Sequence, residues 1–475
     1  MKNINKYIEL LIVIPLCAMI IMTVSCKDDE TYGESPDLTY IKDVVITVGG
    51  LTGDTIVHGK VDEINKEIIF PKLHKLTDLS KVKFGGTLPT GAKFEYDEYD
   101  FTVPDGESQN RQIVSVVNGK RKREYYVTIR LSVPVFGGEW SKIKIYDHSG
   151  TEKYTSLSAA LTRCADMDLI HVLIPSRDAR GLHLLRVSDI KQGNVDSPIS
   201  LDITNVSGGT FNVSSGRLAQ EHIYVCNLAT ATQELRLYHW ATASSVPDVL
   251  FSQVVNTIPG YVGGRIGDGM SMHLDNNGDG YVFLGVNPNN AGGASNMLKI
   301  KITGFTTVTE TSFLSMVTYG GLWSTYSKVD DVDDEYTYTG YQGPLMLVNT
   351  SGSEIYKMAN ASVPVQGADT RIINFNQERY LVLISATSGT EATTMYVYNI
   401  TRGETTQEAL NLFESGSKTP VYQFSFGASS TGSAVASLSY VKEDDTLYLF
   451  GAAPGAGFAI FEIPKATEED SFYNE

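Results

Sequence analysis

Residues 223–241 read IYVCNLA, TATQ, ELRLYHWA. Two runs rich in β-branched, aromatic and leucine side chains flank four small or polar residues, the grammar of a strand, a turn and a partner strand. The pair recurs six times. First members begin at Ile170 (IHVLIPS), Ile223, Tyr281 (YVFLGVN), Tyr336 (YTYTGYQ), Tyr380 (YLVLISA) and Leu447 (LYLFGAA). Their partners are LHLLRVSD, ELRLYHWA, NMLKIKIT, PLMLVNTS, TMYVYNIT and FAIFEIPK. A turn-rich approach precedes each first member. A lone hairpin cannot bury its apolar face, so a repeat of this kind must stack against its neighbours.

The spacing, about 50 residues, is what four strands and their turns need. Residues 139–467 are therefore expected to form a six-bladed β-propeller. The last repeat ends at FAIFEIPK without a fourth strand, and the first is preceded by an orphan strand, WSKIKIY, at Trp140–Tyr146. If the orphan completes the last blade, the ring closes and no free edge remains. A seventh blade would need a repeat that is not visible. No stretch sustains a 3.6-residue apolar period, so the expected class is all-β.

Residues 38–133 form a separate block with strands TYIKDVVITV, EIIFP, KVKFGG, QIVSVVNG and EYYVTIRLSV. In the last, Tyr125, Val127, Ile129 and Leu131 alternate with Tyr126, Thr128 and Arg130, which gives one buried and one wet face. Pro134-Val-Phe-Gly-Gly138 marks the boundary between this block and the repeats. The pattern of this block resembles the bacterial Ig-like modules that follow the anchor in Bacteroidetes lipoproteins. That resemblance implies an Ig-like β-sandwich acting as a spacer.

At the N-terminus Lys2 and Lys6 precede an uncharged run over residues 10–22, with Glu9 between them. The run is shorter than the ~20 residues of a spanning helix and suits a signal-peptide core. Thr23-Val-Ser-Cys26 resembles a lipobox, with Thr where Leu is usual. Residues 1–25 are thus expected to be a lipoprotein signal peptide, Cys26 the lipidated residue and 26–37 a tether. Lys27-Asp-Asp-Glu30 resembles the export signal of Bacteroidetes surface lipoproteins, which implies an outer-membrane location facing the cell exterior. With the repeats, the whole chain resembles the propeller lipoproteins of unknown function that Bacteroidetes encode beside glycan-uptake machinery. The resemblance implies three partners: the outer membrane through the lipid, a glycan, and an outer-membrane transporter complex. Residues 468–475 read as a C-terminal tail.

The chain carries 38 basic and 55 acidic side chains, a net charge of −17. That balance argues against nucleic acid, which rewards clustered Lys and Arg, and against adhesion to anionic lipid. Of four cysteines, only Cys164 and Cys226 lie within the body. Two are too few for a disulfide framework. Both sit in or beside apolar runs, where a buried free thiol is expected.

Asp275-Asn-Asn-Gly-Asp-Gly280 matches the front half of an EF-hand loop, with Asp275, Asn277 and Asp279 as candidate calcium ligands. Val286 stands where the loop's closing glutamate belongs, and Asn-Gly and Asp-Gly are also the best hairpin formers. An ordinary turn is the favoured reading, and calcium is the only cofactor suggested. His171, His183, His222 and His239 fall in or beside strands and read as structural. No nucleophile elbow, phosphate loop, zinc spacing or sialidase Asp-box appears. The pairs Asp330-Asp331 and Asp333-Asp334 read as a solvated turn. Loops entering the innermost strands, and those joining second and third strands, converge on one end of a propeller. Here they carry Arg177, Asp178 and Arg180; Tyr261, Arg265 and Asp268; Tyr319, Trp323 and Tyr326; and Asp369 with Arg371. Aromatic planes and Arg/Asp pairs suit a sugar. The leading expectation is a non-catalytic glycan-binding surface lipoprotein. The alternatives are a propeller glycoside hydrolase or lyase, and a scaffold for a transporter.

Overall fold

Short runs of β-branched, aromatic and leucine side chains make sheets of both parts of the chain. The computed structural model describes residues 38–50, 53–74, 77–104, 107–132, 136–287, 296–318, 320–359, 362–363, 367–385, 392–429 and 435–467. The signal peptide, Cys26 with the whole tether, Pro134, Tyr319 and the whole tail lie outside them. The chain divides into two units, one up to Pro134 and one spanning Val135–Thr467.

The first unit holds β1 (Asp43–Gly50), β2 (Gly53–Asp62), β3 (Glu67–Ile69), β4 (Asp78–Thr87), β5 (Lys93–Phe94), β6 (Gln109–Asn118) and β7 (Arg121–Arg130). Their order is β4-β1-β2-β3-β7-β6-β5, with β3 and β7 parallel. The first part of β2 pairs with β1, and Lys60–Asp62 pair with β3. A strand that changes partner midway wraps the sheet around one core. Val44, Ile46, Phe70, Phe101 and Val116 fill that core. Along β7, Tyr125, Val127 and Ile129 are sealed inside while Tyr126 is 47% exposed, as the alternation requires.

The second unit is a six-bladed β-propeller. It opens with β8 (Lys144–Ser149). Blade 1 is β9 (Asp166–Met167), β10 (His171–Pro175), β11 (Leu182–Arg186) and β12 (Ile199–Ser200). Blade 2 is β13 (Phe211–Ala219), β14 (His222–Leu228), β15 (Glu234–Trp240) and β16 (Asp248–Val254). Blade 3 is β17 (Arg265–Leu274), β18 (Gly280–Asn287), β19 (Asn296–Thr303) and β20 (Thr307–Ser315). Blade 4 is β21 (Leu322–Lys328), β22 (Tyr336–Tyr341), β23 (Met346–Val348) and β24 (Glu354–Lys357). Blade 5 is β25 (Gly367–Phe375), β26 (Glu378–Ser385), β27 (Ala392–Asn399) and β28 (Tyr422–Ala428). Blade 6 is β29 (Ser437–Glu443), β30 (Thr446–Ala453) and β31 (Gly457–Pro464), and β8 completes it.

The closure is the expected one, shifted along the chain. Tyr146 faces Ile460 and Ile145 faces Phe461, but Trp140–Lys142 is a short 3-10 turn rather than strand. Trp140 leaves the strand because its ring stacks at 6.0 Å on Tyr422 and packs edge-on to Tyr380. The repeated apolar runs prove to be the second and third strands of each blade. The inner strands escaped notice because Ser214, Ser215, Gly216 and Arg217, or Ser437 and Ser439, stand in them where an apolar run would be.

The longer of two α-helices among the described residues, Thr406–Ser415, lies between β27 and β28 and departs from the expectation of no helical period. Thr405 accepts the Glu408 amide at 3.1 Å and Glu408 accepts the Glu404 amide at 2.9 Å. Thr405 as N-cap starts the helix, and Ala409, Leu410 and Phe413 bury its inner face. It accounts for the long interval before the sixth repeat. Cys164 and Cys226 are both buried free thiols, as expected.

Candidate functional site

The six inner strands run the same way around one axis, so their side chains meet in a channel. Midway along it lies a plug of charge. Arg217 of β13 donates to the Met270 carbonyl at 2.6 Å, the Ala165 carbonyl at 3.1 Å and Asp166 at 3.2 Å. Its other terminal nitrogen lies 3.5 Å from Asp369 of β25. Asp369 in turn accepts the Leu438 amide at 2.9 Å and the Arg371 guanidinium at 2.5 Å. Arg371 reaches Ser327 Oγ at 2.6 Å and the Leu438 carbonyl. All six blades are thus tied by buried, mutually satisfied groups. Burial works against the charge of Arg217, but Asp166 and Asp369 outweigh it and hold its proton more tightly than usual.

At the C-terminal ends of the inner strands the channel widens into a cavity of about 650 Å³. Arg217 and Arg371 form its floor, and the strand-turn hairpins form its rim. Gln220 and Glu221 turn one of these hairpins with φ of 50° and 70°. Such turns favour Asn and Gly, so two bulky polar residues held there are strained. Asp168 accepts the Ile170 and His171 amides at 2.7 and 2.6 Å through Oδ1. Its Oδ2 is buried with no partner among the described residues. Burial, with Glu221 adding to it, holds this carboxyl above the ordinary range. His273 is pushed down by burial and then by Lys328. Lys442 bridges to Asp330 at 2.6 Å and Asp331 at 3.1 Å. Met167, Leu169, Met272 and Leu274 supply apolar wall between these groups.

Asp330 is therefore no solvated turn residue. It is 9% exposed and also accepts the Asn374 amide at 2.9 Å. Asp331, at 63% side-chain exposure, keeps the expected place in solvent.

The expected binding residues do not form one face. Arg265 and Asp268 meet at the opposite end of the channel, where Arg265 Nε donates to Asp268 at 2.6 Å. Arg177 lies nearby, held by the Val213 carbonyl at 3.1 Å. Trp323 lines the same narrow crevice as Asp268. Asp369 and Arg371 belong to the plug. Tyr326 is a correction: only 1% exposed, it stacks at 4.4 Å on Phe283 between blades and its hydroxyl donates to the Asn349 carbonyl. Asp178 caps its own turn through the Arg180 and Gly181 amides, and Tyr261 donates to the Gly264 carbonyl at 2.7 Å. Except for Tyr261, these residues lie in inner strands or hairpin turns rather than open loops. Sequence reading missed Asp166, Asp168, Arg217, Glu221, His273 and Lys442. One signal was available: an arginine inside the otherwise small-residue run SSGRLA has no place in an apolar core.

In the Asp275–Gly280 turn, Asp275 Oδ1 accepts the Asn277 and Asp279 amides at 2.8 and 3.0 Å. Asp279 Oδ1 accepts the Gly304 amide at 2.8 Å. Among the described residues no three His, Cys, Asp or Glu side chains gather as metal ligands. The histidines are bonded in structure: His183 lies between Tyr154 OH at 2.9 Å and the Gly181 carbonyl at 2.8 Å. His222 Nδ1 meets His239 Nε2 at 2.7 Å.

Residues 29–466 match the family model described as Domain of unknown function (DUF4623). Among solved structures the chain is similar to a DUF4623 family protein from Bacteroides eggerthii DSM 20697. Identity is 32% and the TM-score 0.75, over 91% of this chain and 100% of that one. The GH43 β-xylosidase/α-arabinofuranosidase CoXyl43 from a compost microbial metagenome is 9% identical, with a TM-score of 0.33, over 57% of this chain and 94% of that one. The PQQ-bound aldose sugar dehydrogenase from Streptomyces coelicolor is 11% identical, with a TM-score of 0.33, over 70% of this chain and 100% of that one. Likeness at that level says nothing about chemistry. No curated protein matches the chain.

Proposed function

Since the chain belongs to the DUF4623 family, whose domain has no known function, we propose a role for it from the channel itself: non-catalytic binding of a glycan in the wide cavity. The observation that carries this reading is the cavity of about 650 Å³ closed below by the Arg217 plug. Concave sites of this size with a few converging polar groups are where small ligands bind. Carboxylates, guanidinium, amide and ammonium groups alternate there with apolar wall, which suits hydroxyls and the C–H faces of a sugar ring. In this reading Cys26 carries lipid, the chain sits on the outer membrane facing out, and the N-terminal unit is an Ig-like spacer. A neighbouring outer-membrane transporter is the partner that would receive the glycan. A fatty-acid probe that fails to label Cys26 removes the anchor from the reading.

A second reading has its own observation. Asp168 is a carboxyl that burial holds above the ordinary range, with Glu221 close enough to push it further. A raised acid beside a second carboxylate is what glycoside hydrolysis uses. One experiment separates the two. The purified chain is screened on a glycan array and each hit is assayed for reducing-end release. Binding without release, weakened about tenfold or more in Glu221→Gln, is the expected result, given the 1.5–3 kcal/mol of a charged hydrogen bond. Release of product that Asp168→Asn abolishes makes the protein a hydrolase. Hits unaffected by either substitution place the site elsewhere.

A further inference from the structure

Charge is not balanced around the channel. At the narrow end Arg163 and Arg265 reach Asp268 at 3.4 and 2.6 Å, with Arg177 close to all three. At the wide cavity the excess has the other sign, and the cations that line it are already spent. The Lys442 ammonium gives its three hydrogens to Asp330 at 2.6 Å, Asp331 at 3.1 Å and the Asn374 carbonyl at 3.3 Å. Arg217 is held by Asp166 and Asp369, and Arg371 by Asp369 and Ser327. Glu221 is different. It is exposed at the rim and makes no hydrogen bond or ion pair among the described residues. Asp168, near enough to feel its charge, keeps one oxygen without a partner. With these two and Asp166 counted, six carboxylates stand against three cations around the cavity.

A cleft with an excess of one charge concentrates ligands of the other. What a ligand can touch here is the free charge, and that charge is acidic. The turn that presents it is fixed in place. Gln220 Nε2 donates to the Asp275 carbonyl at 2.9 Å, which ties this hairpin to that of the next blade. The left-handed φ of 70° at Glu221 therefore holds a carboxylate at the mouth. We infer that the glycan of this cavity carries a free amino group: it is an unacetylated amino sugar whose ammonium meets Glu221, and sugar acids are turned away. Ammonium and carboxylate pair through a charge-assisted hydrogen bond. Asp168 adds its charge without needing to touch the ligand. Met167 and Leu169 leave apolar wall for the C–H face of the ring. The inference rests on the glycan reading in its non-catalytic form. An ammonium near Asp168 favours the ionised carboxylate, which removes the proton a hydrolase would need.

The test is ligand-observed NMR titration of the purified chain at neutral pH and fixed ionic strength. Glucosamine and galactosamine are each compared with the neutral sugar, the N-acetylated sugar and the uronic acid of the same ring. At least one amino sugar should bind about tenfold or more tightly than its neutral and N-acetylated counterparts, as a charged hydrogen bond allows. Its uronic acid should bind most weakly. Glu221→Gln should remove most of that preference. Asp168→Asn, which keeps an oxygen for the Ile170 and His171 amides, should cut it severalfold. The readout is the ratio of the two affinities, which a general loss of structure would not move. No preference for an amino sugar, or one undiminished in Glu221→Gln, overturns the inference, while hits on the glycan array leave the glycan reading standing. Lysine amide bound as tightly as the amino sugar overturns it too, because the site then reads a cation and not a sugar. An array without hits removes the glycan reading and this inference with it.

Discussion

The two ends of the propeller channel are built from the same six inner strands, yet one is wide and mixed in charge and the other is narrow and cationic. The wide end lies where strands turn back through short hairpins, so Gln220, Glu221 and Asp168 can stand around an open mouth. The narrow end lies where the chain enters each inner strand, and three arginines crowd one aspartate there. Between them Arg217 and Arg371 join the blades. The difference teaches that a ring of near-identical blades acquires distinct sites through charges set inside its inner strands, not through the blade pattern itself.

The largest effect should come from the plug that separates the two ends. Arg217→Ala would leave Asp166 buried without its cation and Asp369 with Arg371 alone, a loss of about 3–5 kcal/mol, read from urea unfolding of the full chain. A loss below about 1 kcal/mol would mean water already compensates those carboxylates and the ends are not sealed from each other.

A smaller effect belongs to the wide side, where His222 and His239 stack at 5.0 Å and Phe305 stacks on His222 at 4.3 Å. Burial, then the neighbouring His222, lowers His239 from its ordinary 6.5 to about 4. The folded state therefore binds fewer protons than the unfolded one between those values, and stability falls as pH drops through that window. His239→Phe should flatten this slope, recovering on the order of 1–2 kcal/mol at pH 4 relative to pH 7. An unchanged slope assigns the acid sensitivity to the channel carboxylates.

The smallest effect lies in the Asp275–Gly280 turn on the same side. Asp275→Ala removes the acceptor for two amides and should lower Tm slightly, by the same amount with and without millimolar calcium. A calcium-dependent gain in the wild type that this variant loses would add a metal site to the wide end.

Much of the propeller was legible because the second and third strands of each blade are apolar runs buried almost continuously. IYVCNLA and FAIFEIPK announce themselves, and the unpaired strand before blade 1 announces the closure. The inner strands were hidden because their partner is the channel, where serine, glycine and arginine serve better than valine. The helix at Thr406–Ser415 was signalled by Thr405 and Glu408 but is only ten residues long. Tyr326 and Trp323 looked alike as loop aromatics. One proved to be a wedge between blades and the other a lining of the narrow crevice.

By itself the sequence determined an all-β chain of two units, six repeated hairpins and a ring closed by its first strand, since each follows from local period and turn chemistry. Only the tertiary structure decided which charges meet. Asp166, Arg217, Asp369 and Arg371 come from three blades, and Arg163, Arg177 and Arg265 from two. Their separations along the chain carry no trace of the few ångströms between them. Electrostatic sites depend on distance through space and on exclusion of water, and ring closure supplies both.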